Sequence, residues 1–406
     1  MHIAIVGYGT AGQAAAIALG ALPGVAVSVF EQAPALGPVG AGFLLQPTGL
    51  LALQRLGLLE QALQHGARID ALQGFSHRGR QVMDMRYARW SPAAFGLGMQ
   101  RNTLFALLHA RLPPSVRLHT GHAMQSLDAQ RGVLVDRAGI EHGPFDLVVV
   151  ADGSRSPLRS QHFGDACAPL YPWGAWWCLV DAEDWAYPAH LQQRYRLARN
   201  MAGLLPVGKA TTDGAAHKLC LYWSVPAGAT PDGRDSHGVC EALSGLWPEA
   251  AALIRRQAPV PLTHASYRGV HLRRWHKDRA VWIGDAAHGM SPQLGQGVNL
   301  ALLDALALAD ALRDQRDLHA ALGRFERQRK AHVRWYRWGS HWLTPLFQSD
   351  HDWLARMRDL LFMPASRMPG SAAVSLRLLT GVLGWQGLDA GKQAADAMAA
   401  RASSEP

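Results

Sequence analysis

An α/β fold, α+β overall, is predicted for this 406-residue chain by three stretches. Residues 2–12 run from a short apolar strand straight into Gly7-Tyr8-Gly9-Thr10-Ala11-Gly12. Residues 280–304 run from another apolar strand through a glycine-rich loop into a helix. In between, residues 164–276 alternate short apolar and aromatic runs with Gly, Pro and Asp, the pattern of an antiparallel sheet. A strand–loop–helix unit at each end of an inserted sheet implies a Rossmann-like nucleotide-binding domain, a second sheet domain and a C-terminal helical region.

Composition agrees with a globular protein large enough for two domains: 49% of residues are hydrophobic and 17% charged. The net charge is +9. Its arginines are scattered, which does not look like a nucleic-acid stripe but suits an anionic cofactor or substrate, or a membrane surface. Cys167, Cys178, Cys220 and Cys240 stand far apart, without metal or redox spacing. They read as reduced, buried thiols of a cytoplasmic protein. None of the 19 histidines forms HExxH or another metal pattern, so no metal site is expected. The first element begins at about residue 2, with no basic segment ahead of it to make a signal peptide. No run reaches the roughly 18 apolar residues of a bilayer span.

In chain order, residues 2–6 form the first strand, AAAIALGAL the first helix, and residues 25–30 a second strand ending in Glu31. In the GxGxxG turn Gly7 allows the tight bend, Gly9 lets a pyrophosphate approach the backbone, and Gly12 lets helix and strand pack closely. Glu31 stands about twenty residues on, where an acid can hold ribose hydroxyls. The motif alone does not separate NAD from FAD. Residues 37–58 then carry Gly37, Gly40 and Gly42 ahead of a helix begun by Pro47. That loop is a backbone surface on which a flat ring can lie. Arg101, taken by itself, reads as an exposed residue at a helix N-terminus. Residues 116–127 read as strand, turn and strand. Residues 146–150 form a buried strand running into Asp152-Gly153, after which Ser156 caps a helix with Pro157 at its first position.

Residues 72–100 are expected to add a hairpin to the sheet of residues 166–270. Its aromatic residues Trp173, Trp176, Trp177, Tyr195, Tyr222 and Trp223 are candidates to line a cavity for a flat or greasy substrate. Arg194, Arg196 and Arg199 are either carboxylate ligands or solvated positions. Residues 280–283 form the last strand. Gly284-Asp285 closes it, and the loop 286–297 carries Gly289, Pro292, Gly295 and Gly297. From Val298 the spacing Val298, Leu302, Ala305, Ala309, Leu312 is helical. Free N–H groups and a helix dipole at that start make a site for an anion. Beyond residue 315 the chain is helical, with the basic, aromatic stretch 324–338. It reads as a helical cap under the nucleotide domain, with a basic amphipathic membrane surface as the alternative. The tail 399–406 reads as disordered.

GYGTAG with Glu31, GAGF (40–43) followed by QPTGLLALQRLGL, Arg101 in QRNTLFALL, ADGSRSPLR (151–159) and GDAAHGMSPQLGQGVNLALLDA (284–305) stand in a familiar order. In them the chain resembles the single-component FAD-dependent aromatic monooxygenases of the para-hydroxybenzoate hydroxylase fold. The resemblance implies FAD as cofactor, NADH or NADPH as reductant, and O2 as co-substrate. The implied activity is hydroxylation of an aromatic or other electron-rich hydrophobic small molecule through a C4a-hydroperoxyflavin. It also implies roles for single residues. Gly7, Gly9, Thr10, Ala11, Gly12 and Glu31 would hold the ADP portion. Gln32 stands where many relatives have a basic residue. Gly42 belongs to the loop against the ring, and Arg101, with Leu104 and Leu108, would reach the pyrophosphate or ribityl chain. The backbone near Met124 would face adenine. Asp152 is tied to both FAD and NAD(P)H, and Arg159 would be a charge for the pyridine nucleotide. Gly284 and Asp285 would serve the ribityl chain. Gly297, Val298 and Asn299 would aim N–H groups at the flavin N1/C2=O edge, where fixed donors stabilise developing charge. Pro292 and Gly295 would shape the oxygen-binding space, with no acid or base named. Trp177, Tyr195, Tyr222 and Trp223 are the substrate candidates, and His288 is read as structural.

The implied domains are 1–71, 101–165 and 271–335 for FAD, 72–100 and 166–270 for substrate, and 336–406 as helical cap. A second Rossmann fingerprint is absent, as expected where NAD(P)H binds transiently. A flavin-dependent halogenase fits less well, lacking its WxWxIP-type segment and channel lysine. An FAD-dependent reductase or dehydrogenase of the same fold is the enzyme alternative, and a flavin-binding sensor without turnover the non-enzyme one.

Overall fold

The computed structural model describes residues 1–37, 41–182, 184–212, 214–228 and 235–385. Gly40 and the tail expected to be disordered lie outside them. A six-stranded sheet runs in the order His276–Lys277, Ala280–Trp282, Leu147–Val150, His2–Val6, Ala26–Glu31, Val116–Thr120. It is parallel except for the edge hairpin at His276–Lys277. Apart from the exposed His2, the strands His2–Val6, Leu147–Val150 and Ala280–Trp282 at its centre are apolar and almost wholly buried, as strands covered on both faces must be. One cover is the helix Thr10–Gly20, which packs on the helix Gly297–Asp314. Both are rich in alanine, so their axes can approach closely, and Gly297–Asp314 is buried almost all round, as a core helix should be.

The second sheet has seven strands, in the order Thr263–Arg268, Leu170–Asp181, Lys218–Pro226, Asn200–Pro206, His190–Arg196, Ala71–Ser76, Gln81–Arg86. It departs from the expected pattern at one seam: His190–Arg196 pairs parallel to Ala71–Ser76, because the chain leaves and re-enters the sheet from the other domain. The expected segment 72–100 also divides. Gly96–Gln100 pairs with Gly42–Leu45 and Ala67–Ile69 in a small sheet between the two large ones.

Register decides which side chains share a face. Trp177, Tyr222, Gly203, Gln193 and Gly74 lie opposite one another across the strands and form one face. That face packs on Gly42–Leu45: Tyr222 and Leu179 join Leu44, Leu205, Val207 and Cys220 in one apolar cluster. Trp176, Trp223, Ala202 and Arg194 form the opposite face. It is covered by the helices Cys240–Ser244 and Pro248–Arg255.

No boundary falls at residue 336. The helix Leu318–Phe347 runs through it and is followed by Asp352–Arg367 and Pro369–Thr380. No described helix is long and apolar enough to cross a membrane. The four cysteines are free, and all but Cys167 are buried.

Candidate functional site

Three loops meet where three adjacent parallel strands end: Gly7–Gly12 after His2–Val6, Asp152-Gly153 after Leu147–Val150, and Gly284-Asp285 after Ala280–Trp282. Ligands of open α/β sheets bind at this carboxyl edge. Glycine is required where the loops touch. Gly7 has φ +98°, and a Cβ there would lie 2.5 Å from the Ala151 carbonyl oxygen. A Cβ on Gly12 would lie 2.0 Å from the Gly7 oxygen, and one on Gly284 2.9 Å from the Ala11 Cβ. On the open side, a Cβ on Gly9, Gly153 or Gly295 would meet nothing within 4 Å. Thus the loops are locked on one side and form a cradle on the other.

The cradle has the donors and acceptors of a dinucleotide site. Neither Thr10–Gly20 nor Gly297–Asp314 has a side-chain N-cap, so their first N–H groups are free for an anion. Glu31 accepts from the N–H of Tyr8 at 2.8 Å and of Ala33 at 2.9 Å, which fixes its carboxylate beside the first loop. Asp285 is exposed at the head of Asp285–His288, and the Gly297 Cβ position lies 4.0 Å from its Oδ1. Both Asp152 carboxylate oxygens are buried without a hydrogen-bond partner. Burial pushes that carboxyl up to about 6, against the opposing influence of Ser156 and Arg159. A buried carboxylate without partners costs stability unless a ligand's hydroxyl or N–H reaches it. FAD, with two phosphates and two sets of hydroxyls, fits this set.

Several expected cofactor residues do other work. Arg159 is 2% exposed. It donates to the carbonyls of Ser154 at 2.7 Å, Ala286 at 3.3 Å and Gly153 at 3.4 Å. It therefore bolts two cradle loops together and does not present its charge to a pyridine nucleotide. The Asn299 side chain accepts from Gln46 N–H at 2.9 Å and donates to Gly295 O at 3.1 Å and Leu44 O at 3.3 Å. Only its backbone N–H remains for a cofactor. Gly42 is in a strand, and its missing Cβ would lie 2.2 Å from Val207 Cγ1. It allows the two domains to close on each other. Gln32 is exposed, and Met124 is buried at the start of the strand Met124–Asp128. Thr10, Ala11 and Val298 lie in the first turns of their helices, and Pro292 begins the turn Pro292–Leu294 that leads to Gly295.

The substrate candidates separate by face. Trp177 and Tyr222 lie on the inner face. Trp223 lies on the outer one among Val239, Leu243 and Trp247, which removes it from any cavity against the cofactor domain. Tyr195 shares the inner face but is consumed by packing: Phe347 lies 5.2 Å from its ring and the Arg358 guanidinium 4.7 Å. The three arginines considered as carboxylate ligands are all engaged elsewhere. Arg194 stacks over Phe75 at 4.3 Å and Trp247 at 4.6 Å. Arg196 donates to the Gly245 carbonyl. Arg199 pairs with Asp352 at 3.0 Å and Asp350 at 3.1 Å. Arg101 is exposed at the start of Arg101–Ala110, and its charge acts on Cys220 and Tyr267 across the cleft.

Two features escaped the sequence reading. Tyr267, in an ordinary alternating strand, shares the inner face with Ala265 and Thr263, and burial raises its hydroxyl to about 12. Asp304, buried in the long helix, accepts from His288 Nε2 at 2.6 Å, Arg329 Nε at 2.7 Å and the Gly284 N–H at 2.8 Å. Burial works against its charge, but His288 and Arg329 outweigh it and hold the carboxyl down to about 2. His288 is thereby a structural partner, also stacked on Trp275 at 4.9 Å.

One smaller test concerns the Asp152 loop. Ser156 Oγ caps its helix by accepting from the Arg159 N–H at 2.9 Å. Ser156→Ala is expected to cost about 1 kcal/mol in thermal or denaturant unfolding. An unchanged unfolding midpoint would show that the cap carries none of this stability.

Comparison with known proteins agrees with the geometry. The family described as FAD binding domain matches residues 1–334. The chain is 28% identical over 387 residues to an aurachin C monooxygenase/isomerase of Stigmatella aurantiaca, covering 93% of this chain and 96% of that protein. It is 29% identical over 404 residues to a 2-heptyl-3-hydroxy-4(1H)-quinolone synthase of Pseudomonas aeruginosa, covering 94% of this chain and 98% of that protein. Its fold is similar to that of Klebsiella pneumoniae HpxO complexed with FAD and uric acid, with a TM-score of 0.79 at 21% identity, over 95% of this chain and 97% of that one.

Proposed function

Because this chain belongs to the FAD binding domain family, and within it to the single-component FAD-dependent aromatic monooxygenases, we propose that its substrate is a neutral, apolar aromatic heterocycle of the alkyl-4-quinolone type. The chain is an FAD-dependent monooxygenase. The proposed reductant is NADH or NADPH bound transiently, since the sequence carries one nucleotide fingerprint.

One observation carries the substrate reading. Arg194, Arg196 and Arg199 are spent on rings, a carbonyl and aspartates, away from the inner face of the sheet. Trp177, Tyr222, Tyr267 and Cys220 offer that face apolar surface and hydroxyls instead. None of these three arginines is left to pair a substrate carboxylate, and Arg101, whose charge reaches Cys220 and Tyr267, is the residue expected to hold the FAD pyrophosphate or ribityl chain, so burying a carboxylate there would cost on the order of several kcal/mol. A neutral ring with a hydrocarbon tail meets no such cost. The relative named as a 2-heptyl-3-hydroxy-4(1H)-quinolone synthase supports the same class.

FAD, when bound, supplies the redox chemistry that activates O2 for transfer of one oxygen atom to the ring. The chain's part is to bind, orient and exclude water. The helix beginning at Gly297 offers N–H groups where negative charge develops. The open face of Gly295 and the turn from Pro292 leave room for a small molecule beside them. The sheet covers the cleft and keeps water from it. Burial raises the hydroxyls of Tyr222 and Tyr267, so at neutral pH they act as hydrogen-bond donors or acceptors and not as bases.

The test uses FAD-loaded protein with 2-heptyl-4(1H)-quinolone, salicylate and urate, following NADH and NADPH oxidation and 18O uptake from labelled O2. The quinolone is expected to accelerate reduction and to gain one 18O. Labelled product from salicylate or urate alone would overturn the neutral-ring reading. Oxidation of NAD(P)H with no labelled product from any compound would favour the reductase alternative.

A further inference from the structure

Three donors converge beside the end of the strand that carries Glu31. His122 lies in the loop after Val116–Thr120. Asp136 ends the strand Val133–Asp136, and His142 lies in its hairpin partner Glu141–His142. Asp136 Oδ2 is 3.0 Å from His142 Nε2 and 3.3 Å from His122 Nδ1. One donor atom from each residue lies within 4.8 Å of the other two. We infer that His122, Asp136 and His142 form a binding site for one divalent transition-metal ion of the zinc type.

The distances are those of a ligand set. A tetrahedral ion with bonds of about 2.0–2.1 Å spaces its ligand atoms about 3.3–3.4 Å apart. Two edges of the triangle are near that value, and the third is no longer than 4.8 Å. The carboxylate is aimed from behind. Asp136 Oδ1 accepts from the N–H groups of Ala138 at 2.9 Å and Ile140 at 3.0 Å, so Oδ2 is held toward the two rings. Such supporting hydrogen bonds orient the ligands of built metal sites. The ring of Phe30 lies 5.0 Å from those of His119 and His142 and forms an apolar wall. The His122 side chain is 34% exposed, which leaves an entry path and a fourth position for water. Two imidazoles and one carboxylate favour zinc or its neighbours over magnesium or calcium, which prefer oxygen throughout.

The site has a structural consequence. The His122 N–H donates to the Glu31 carbonyl at 2.9 Å, and Phe30 pairs with His119 in the sheet. A bound ion would pin the hairpin to the end of the strand from which the Glu31 carboxylate reaches the cofactor cradle.

The experiment titrates Zn2+ into chelator-treated, FAD-loaded protein by calorimetry, with Mg2+ as control, for wild type, His122→Gln and His142→Gln. Both substitutions leave the two Asp136 Oδ1 hydrogen bonds intact. Wild type is expected to take up one Zn2+ and to melt at a higher temperature when loaded. Each variant is expected to bind more weakly by more than the roughly 10–100-fold typical of losing a supporting residue. No uptake by wild type, or equal uptake by wild type and both variants, overturns the proposal. Zinc-edge absorption of the wild-type protein decides it without any variant: two imidazoles and a carboxylate oxygen are expected. A sulfur ligand, or fewer than two imidazoles, overturns it.

Discussion

Gly9→Val is expected to give a folded protein that does not hold FAD, whereas Gly12→Ala is expected to fail at folding. The two glycines belong to one motif but face opposite ways. Gly9 has φ −74° and ψ −174°, an extended backbone that valine adopts readily, and its Cβ direction is empty. Nothing in the protein resists the new side chain. It fills instead the approach to the free N–H groups of Thr10–Gly20. Two hydrogen bonds to a charged group, at about 1.5–3 kcal/mol each, would be lost. That is a drop in affinity of more than roughly a hundredfold. At Gly12 the new methyl would lie 2.0 Å from the Gly7 carbonyl oxygen, so the helix could not dock on its strand. Circular dichroism and the visible flavin bands after reconstitution separate the two outcomes. A yellow Gly9→Val protein of wild-type affinity would show that the phosphates do not lie over this loop.

This contrast also marks how far the sequence could be read. Loop chemistry was legible because it depends on local residue types: Gly7, Gly12, Glu31, Asp152 and Gly284 lie at strand ends that bring them together. Side-chain direction was not. Arg159 and Asn299 stand inside cofactor motifs, yet their polar atoms turn back onto Ser154 and Gln46. Tyr222 and Trp223 are neighbours in sequence, so alternation places them on opposite faces, but only the packing of Gly42–Leu45 tells which face is inner. The parallel seam at His190–Arg196 depends on how the chain crosses between domains, for which no local pattern exists. The same holds for His122, Asp136 and His142, whose spacing along the chain matches no ligand motif.

Arg329→Met is expected to cost about 3–5 kcal/mol of stability, because it strands a buried charge. Asp304 is 0% exposed, and two of its neighbours are cationic or can become so. Removing Arg329 leaves the carboxylate with His288 and the Gly284 N–H. It also frees His332, whose Nδ1 faces Arg329 Nη1 at 2.7 Å and whose Nε2 reaches the Gly381 carbonyl at 2.8 Å. Since Gly284 begins one of the three cradle loops, FAD retention should fall together with stability. Replacing both charges, Asp304→Asn with Arg329→Met, is expected to recover part of the loss, because no uncompensated ion then remains. The same network sets a pH dependence. Burial first, and the Arg329 charge second, lower His332 to about 3. Below the ordinary histidine range the unfolded chain binds a proton that the folded protein refuses, so stability falls as pH drops from about 6.5 towards 3. Asp304, held at about 2, adds a further loss only below about pH 4, as its carboxylate is protonated. Unfolding free energies measured from pH 7 to pH 4 should therefore decline more steeply for wild type than for His332→Gln. Parallel profiles would mean that His332 is not kept neutral, and the arginine would then owe its importance to Asp304 alone.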